Sequence, residues 1–219
     1  VKSLKQFRSN KSKFENYIRE HSILYYNAMS EMSILPSQGN NYESCLFFND
    51  KIANKHNGNM LFKTILSRME MQYMTSNDIR DMAIFLARCN LNPSLLNEVH
   101  EHDYRRFTVL SSKAGVSDSK SILDATQIFS HPANKQGKYM KLILGSRKIS
   151  TGYNFINGRQ VHIVIQRDYT TMTQSIARII RGKTDHIDKE SYVKIYRHFV
   201  GVENTNNNKL TFGARSISL

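Results

Sequence analysis

From residue 107 onwards, short apolar runs alternate with longer segments whose apolar positions recur at helical spacing. Strands are predicted for four such runs, at 107–110, 141–145, 161–165 and 192–196. Helices are predicted between them, at 117–129 with Ser117 or Ser119 as N-cap, and at 171–181. Strands that alternate with helices form a parallel sheet covered on both faces. The pattern therefore predicts an α/β fold with a central, mostly parallel sheet flanked by helices.

Before residue 107 the pattern is mostly helical. Residues 1–40 form one charged segment of helical period, predicted as an N-terminal connecting helix. The apolar run Ser44–Phe48 predicts a further buried strand, and residues 60–68 predict a helix. Residues 70–104 contain two shorter helical stretches separated by the break Asn90–Pro93, so we expect a helical insertion there.

These segments predict one large domain over residues 41–200. Beyond it, residues 201–213 are rich in Asn and bounded by Gly, which is typical of a flexible loop. Apolar alternation resumes only in the last four residues, SISL. We therefore expect residues 201–219 to be a loop followed by the start of a truncated C-terminal extension.

The composition narrows the function classes. The chain has 219 residues, with 31 Lys and Arg against 18 Asp and Glu, giving a formal charge of +13 at pH 7. This excess favours a polyanionic partner, because cationic side chains on phosphates release condensed counterions; an anionic membrane surface would fit the charge equally well. No run approaches the roughly 20 apolar residues of a membrane span, and we expect no membrane partner. Cys45 and Cys89 stand alone, which argues against a zinc site or a disulfide framework and favours a reducing compartment.

The segment TMTQSIARIIR (171–181) is the strongest candidate for chemistry. On a helix, Gln174, Arg178 and Arg181 share one narrow stripe, and the opposite side is apolar, formed by Met172, Ile176, Ile179 and Ile180. Two arginines one turn apart repel each other unless they share an anion, and a planar guanidinium binds two phosphate oxygens at once. An ordinary amphipathic surface helix with a basic face would have the same pattern, so the helix alone leaves both interpretations open.

The loop after the predicted strand 141–145 is a second candidate site. Ligands of open parallel sheets bind at the carboxyl ends of the strands. Gly152 would let backbone approach a ligand closely, and the loop supplies short hydroxyls and positive charge from Ser146, Arg147, Lys148, Ser150 and Thr151. Ordinary turn chemistry between two strands is the alternative.

Together these segments resemble the superfamily 2 helicases and translocases. QSIARIIR (174–181) is similar to their motif VI, Q-x-x-G-R-x-x-R, and STGYN (150–154) resembles motif V. SCLFFND (44–50) with the helix that follows looks like motif IV. The stretch 127–186 is closest in character to helicases of large DNA viruses, such as the poxvirus nucleoside triphosphate phosphohydrolase and early transcription factor.

The resemblance implies a RecA-like C-terminal lobe of a two-lobed motor. Arg181 would be the arginine finger on the γ-phosphate of ATP, with Arg178 beside it and Gln174 organising contacts between the lobes. Gly152 and Asn154 would link the ATP cleft to nucleic acid, whose backbone would contact Ser146, Arg147, Lys148 and Thr151. The implied partners are DNA or RNA, ATP with Mg²⁺, the N-terminal RecA-like lobe of the same polypeptide and viral transcription or replication proteins. The implied location is the cytoplasm, a viral factory or the virion.

Several features depart from the family pattern. Ala177 replaces the Gly of motif VI, and Asn154 replaces the commoner Asp of motif V. No phosphate loop and no DExx tetrapeptide occur, because Gly182–Thr184 imitates only the end of a phosphate loop and follows a predicted helix. We therefore expect the N-terminal lobe to hold most of the ATP and Mg²⁺, and this chain to be inactive alone. The alternative is a non-catalytic nucleic-acid-binding or assembly module of a viral transcription or replication complex.

Overall fold

The computed structural model describes residues 10–35, 37–38, 42–53, 58–111, 117–146, 152–164, 170, 173–174, 176–177, 192–198 and 216–218. The α-helices bounded within these ranges are α1 (Lys11–His21), α2 (Ile23–Glu31), α3 (Asn59–Arg68), α4 (Ser76–Leu91) and α5 (Ser119–Ser130). Short 3-10 helices follow α4 and α5, at Pro93–Asn97 and Pro132–Asn134. The strands are β1 (Cys45–Phe48), β2 (Gln72–Tyr73), β3 (Arg106–Leu110), β4 (Leu142–Gly145), β5 (Gln160–Val164), β6 (Lys194–His198) and β7 (Ser216–Ser218).

All of these strands belong to one sheet, in the order β2-β3-β4-β1-β5-β6-β7. Strands β1 to β6 run parallel to their neighbours, and β7 pairs antiparallel with β6 at one edge. The predicted α/β class with a mostly parallel sheet is confirmed. Because β1 lies between β4 and β5, the centre of the sheet joins segments that are far apart in the sequence.

The two faces of the sheet carry separate apolar cores. Alternate side chains of a strand point to opposite faces, so Cys45 and Phe47 of β1 pack with α1, α2 and α3. Leu46 and Phe48 point the other way and pack with α4 and α5. The short apolar runs identified in the sequence are thus buried on both sides, as helix-covered parallel strands are.

Aromatic packing fixes α2 and α3 against the first face. The ring of Phe47 meets that of Phe62 edge to face, with centroids 4.8 Å apart, and Phe62 stacks on Tyr25 at 4.6 Å. The Tyr25 hydroxyl donates a hydrogen bond of 2.9 Å to the carbonyl of Gly58, the residue before α3. These contacts hold the start of α3 beside the sheet.

The N-terminal segment differs from the prediction of a single connecting helix. The helix ends at His21, and Ser22 adopts φ −153° and ψ 55°, a conformation outside the helical region that separates α1 from α2. Phe14, Ile18 and Met29 are each at most 2% exposed and lie in the first core. Periodicity alone missed the break, because apolar positions continue on both sides of Ser22.

Other boundaries also differ from the prediction. Gln72–Tyr73, expected inside a helical insertion, form an edge strand parallel to β3, whereas α4 and a 3-10 helix occupy the rest of that segment. Asp118, not Ser117 or Ser119, caps α5 by accepting a hydrogen bond of 2.6 Å from the Ser121 amide. Strand β6 covers 194–198, two residues beyond the predicted 192–196.

Candidate functional site

Polar residues follow three neighbouring strands at the carboxyl edge of the sheet. Asn49 comes directly after β1, Ser111 after β3 and Ser146 after β4. All three are at most 6% exposed. Because parallel strands end at the same edge, these residues lie together where ligands of open α/β sheets bind.

Asn59, the first residue of α3, connects two of these strand ends. Its Nδ2 donates to the carbonyl of Gly145 at 3.1 Å and to that of Asn49 at 3.4 Å. The Asn49 amide also donates to the Gly145 carbonyl, at 3.0 Å. Sequence reasoning missed Asn59, and the only local signal for it is an amide residue placed at the start of a helix that follows a buried strand.

Within the described residues, two buried polar atoms at this edge have no hydrogen-bond partner: Oδ1 of Asn59 and Oγ of Ser146. An unpaired buried oxygen costs roughly 1–3 kcal/mol, so such atoms mark places where a ligand or water can complete the bonding. The Ser146 hydroxyl can donate to a phosphate oxygen, and the Asn59 carbonyl can accept from a hydroxyl or an amine. We call Asn49, Asn59, Ser111 and Ser146 the carboxyl-edge cluster.

The segment with Gly152 and Asn154 is anchored close to this cluster. Phe155 is fully buried, with its ring 6.3 Å from Phe48 at the end of β1 and 5.8 Å from Phe129 on α5. Gly152 and Asn154 are exposed, and a Cβ added to Gly152 would meet nothing within 4 Å. The backbone at Gly152 is therefore open to an approaching molecule.

The predicted helix 171–181 is described only in part. Residues 170, 173–174 and 176–177 are helical, Gln174 is exposed and Ile176 packs against the second core. Gln174 is therefore exposed, as predicted for the polar stripe, and Ile176 contacts the core, as predicted for the opposite, apolar side. Five residues of the predicted site lie outside the described residues, namely Arg147, Lys148, Thr151, Arg178 and Arg181.

A buried polar chain crosses the sheet between β5 and β6. Gln160 donates through Nε2 to the Glu43 carboxylate, so its Oε1 is an acceptor that faces Nε2 of His162 at 3.2 Å. His162 must then donate from Nε2 and accept at Nδ1, where Nε2 of His198 lies at 2.9 Å. Two neutral imidazoles satisfy this arrangement, each carrying its proton on Nε2.

Burial disfavours the charged forms of the two imidazoles. It lowers the pKa of His198 to about 4, and burial with the neighbouring His198 lowers the pKa of His162 well below its usual value. The polar chain packs beside Phe47, on the face of the sheet that carries α1, α2 and α3.

The described residues contain neither a candidate metal site nor a candidate membrane-spanning helix. They contain no group of three or more His, Cys, Asp or Glu side chains that could hold a metal ion. Residues 100–103, His-Glu-His-Asp, are of the types that ligate metals, but Asp103 forms an ion pair with Arg106 at 3.0 Å and accepts from the His100 amide at 3.1 Å. Among these same residues, no helix is long and apolar enough to cross a membrane.

Comparison with known proteins identifies viral relatives. The chain is 31% identical over 121 residues to the "Putative helicase 087L" of Invertebrate iridescent virus 3, covering 52% of this chain and 11% of that protein. It is 22% identical over 209 residues to the "Putative ATP-dependent RNA helicase L377" of Acanthamoeba polyphaga mimivirus, covering 87% of this chain and 18% of that protein. No protein-family model matches the sequence.

The chain is thus similar to helicase-named proteins of two large DNA viruses. With the parallel sheet described above, this relationship supports the predicted RecA-like C-terminal lobe. A solved structure, the C-terminal part of the Fun30 ATPase domain, matches 80% of this chain and 40% of its own, at 14% identity and a TM-score of 0.40. The lobe spans 11% and 18% of the two viral relatives, so it corresponds to a small part of each.

Proposed function

We propose that this lobe is the C-terminal half of an ATP-dependent nucleic-acid helicase or translocase. The observation that supports the proposal most is the similarity to the mimivirus relative, which extends over 87% of this chain. The formal charge of +13 supports a polyanionic partner. In this proposal a second lobe holds most of the ATP and Mg²⁺, and the present lobe completes the site.

The proposal gives Arg181 and Arg178 the role of arginine fingers. A guanidinium beside the transferring phosphoryl group stabilises the charge that develops there, which can be worth ~10³–10⁵ in rate. Gln174, on the same predicted stripe, would contact the opposing lobe. The exposure of Gln174 and the packing of the partly buried Ile176 against the second core support a helix that presents this stripe outward.

The carboxyl-edge cluster is proposed to contact the nucleic-acid backbone. Ser146 would donate a hydrogen bond to a phosphate, and the neighbouring side chains would add positive charge and a further hydroxyl, from Arg147, Lys148 and Thr151. Gly152 and Asn154 would link the nucleic-acid backbone to the ATP cleft. The unpaired Oγ of Ser146 and the open space at Gly152 support this placement. Phosphate contacts position a protein on nucleic acid without reading its sequence, so we expect sequence-tolerant binding.

The Arg181→Ala substitution in the full-length protein tests the motor role. We expect ATP turnover to fall at least ~10³-fold, because the transition-state charge loses its partner, while nucleic-acid affinity stays within about threefold. Steady-state ATPase assays with and without nucleic acid measure the first quantity, and fluorescence anisotropy measures the second. The matched control is Arg88→Ala on the exposed side of α4, which should change neither.

The same experiment separates the alternative function. Equal ATPase rates in the Arg181→Ala variant and the wild type would remove the finger assignment. A wild-type protein that binds nucleic acid but shows no ATP turnover would instead favour a non-catalytic binding or assembly module.

A further inference from the structure

A pocket of about 430 Å³ lies beside the edge strand β2. It is an open depression lined by β2, the start of β3, one side of α4 and the loop that follows the 3-10 helix at Pro93–Asn97. Gln72 and Arg106, which begin β2 and β3, line it. The pocket is separate from the carboxyl-edge cluster, because none of the residues of that cluster lines it.

The side of α4 in this pocket is one helical stripe. Asp78, Asp81, Met82 and Phe85 are spaced three, four and seven residues from the first, so they share a face. Met82 and Phe85, together with Met74 from the end of β2, form an apolar floor. The ring of Phe85 is held edge to face by His100, with centroids 5.7 Å apart. The floor is therefore apolar, and its Phe85 ring packs against His100.

The charge in the pocket is negative although the chain is strongly positive. Its lining contains three carboxylates, those of Asp78, Asp81 and Glu101, and one guanidinium, that of Arg106. Arg106 is already neutralised, because its Nη1 lies 3.0 Å from Oδ1 of Asp103 and both side chains are at most 8% exposed.

The three carboxylates differ in how much they are already engaged. Oδ2 of Asp78 accepts from the amide and the hydroxyl of Thr75 in the capping box, at 2.7 Å each. Glu101 is 88% exposed and lies 3.9 Å from the His102 ring. Within the described residues Asp81 has no ion pair with a cation. Asp81 and Glu101 thus provide the negative charge that is available to an incoming group.

We propose that this pocket binds an arginine side chain of a partner polypeptide. The methylenes of arginine would pack on Met82 and Met74, and its guanidinium would lie against Phe85 and reach Asp81 and Glu101. A guanidinium suits two carboxylates better than a small point charge does, because its planar fork directs several donors at once. The negative charge of the pocket favours an arginine, because a neutral or acidic side chain would leave the Asp81 and Glu101 carboxylates without a cationic partner.

The test is a titration of the full-length protein, labelled with ¹³C at the methionine methyl groups, with N-acetyl-arginine amide. The titration is carried out at pH 8 for every variant and both probes. The Met82 methyl signal should shift and saturate, and N-acetyl-citrulline amide, which has the same shape without the charge, should bind at least fivefold more weakly. Asp81→Asn should weaken arginine binding at least threefold.

The matched control is Asp124→Asn on α5, which should leave the affinity within about 1.5-fold of the wild type. Unchanged signals of the other methionines show that each variant is folded. Equal affinities for the arginine and citrulline probes, or an Asp81→Asn variant that binds arginine as the wild type does, would overturn the proposal. The ATPase rate is not part of this readout, so the outcome is independent of the proposed motor function.

Discussion

Single buried amides organise the turns that local sequence patterns leave undefined. Asn134 is fully buried, and its Nδ2 donates to the carbonyls of Phe129 and Met140 at 3.2 and 3.1 Å. Its Oδ1 accepts from the amides of Tyr139 and Met140, each at 2.9 Å. One side chain therefore closes the connection between α5 and β4, as Asn59 connects the ends of β1 and β4.

Asn134→Ala should destabilise the protein by about 3 kcal/mol. The substitution removes four hydrogen bonds and leaves buried backbone groups without partners, each of which costs about 1–3 kcal/mol before the site relaxes. Urea denaturation followed by circular dichroism measures the free energy of unfolding. Asn97→Ala, at an exposed position, is the control and should stay within about 0.5 kcal/mol of the wild type. Equal losses in the two variants would contradict the role given to Asn134.

None of these amide roles could be predicted from the sequence. The bond from Asn59 to the Gly145 carbonyl joins residues 86 positions apart, and nothing in the local pattern at either end indicates it. The carboxyl edge itself could be predicted, because a strand that ends in Gly145–Ser146 places the next residues there. Sequence reasoning thus placed Ser146 at the carboxyl edge of the sheet, but the amide that ties that edge together emerged only from the fold.

At the scale of elements, apolar runs predicted most of the sheet. Strands β1, β3, β4 and β5 begin within one residue of their predicted starts, because a strand buried on both faces needs a continuous apolar run. Gln72–Tyr73 gave no such signal, since an edge strand of two residues needs no run. The break at Ser22 was also missed, because both helices present apolar residues to the same core.

The pairing of β5 with β6 should depend on pH. His162 and His198 are held neutral, so their folded-state pKa values lie below the unfolded value of about 6.5. Their contribution is fully present above pH 6.5 and is lost as the pH falls from 6.5 toward about 4, the pKa of His198. We expect a loss of about 1–3 kcal/mol across that window.

The slope of unfolding free energy between pH 6.5 and 5 is the readout, because fewer carboxylates titrate there. His198→Gln should flatten the slope, since it removes one of the two groups that the unfolded chain protonates first. His102→Gln, whose imidazole is more exposed, is the control and should keep the wild-type slope. An unchanged slope in His198→Gln would show that the buried pair does not set the acid sensitivity.

At the scale of the whole molecule, positive charge dominates long-range interactions. The formal charge of +13 and the isoelectric point near 9.8 attract a polyanion, with the acidic pocket beside β2 as a local exception. A cationic surface acts through many weak phosphate contacts. Affinity for nucleic acid should therefore depend on ionic strength more than on base sequence.

The salt dependence of binding tests this expectation. Between 50 and 200 mM salt, we expect the affinity of the full-length protein for a labelled single-stranded oligonucleotide to fall at least about tenfold, because each phosphate contact releases counterions. Fluorescence anisotropy with two unrelated sequences measures the affinity, and the two should agree within about threefold. An affinity that changes less than twofold with salt would remove the electrostatic argument.

The strands at the two borders of the sheet are both short. Within the part of the chain that the structure describes, β2 contains two residues and β7 contains three, whereas every strand between them has four or five. A border strand exposes backbone donors and acceptors to which another molecule can add, and the danger of self-association grows with the length of that template. A lobe whose longer strands are all interior offers little such template. It should therefore stay free of self-association at the high local concentration that a cationic protein reaches when many copies gather on one polyanion.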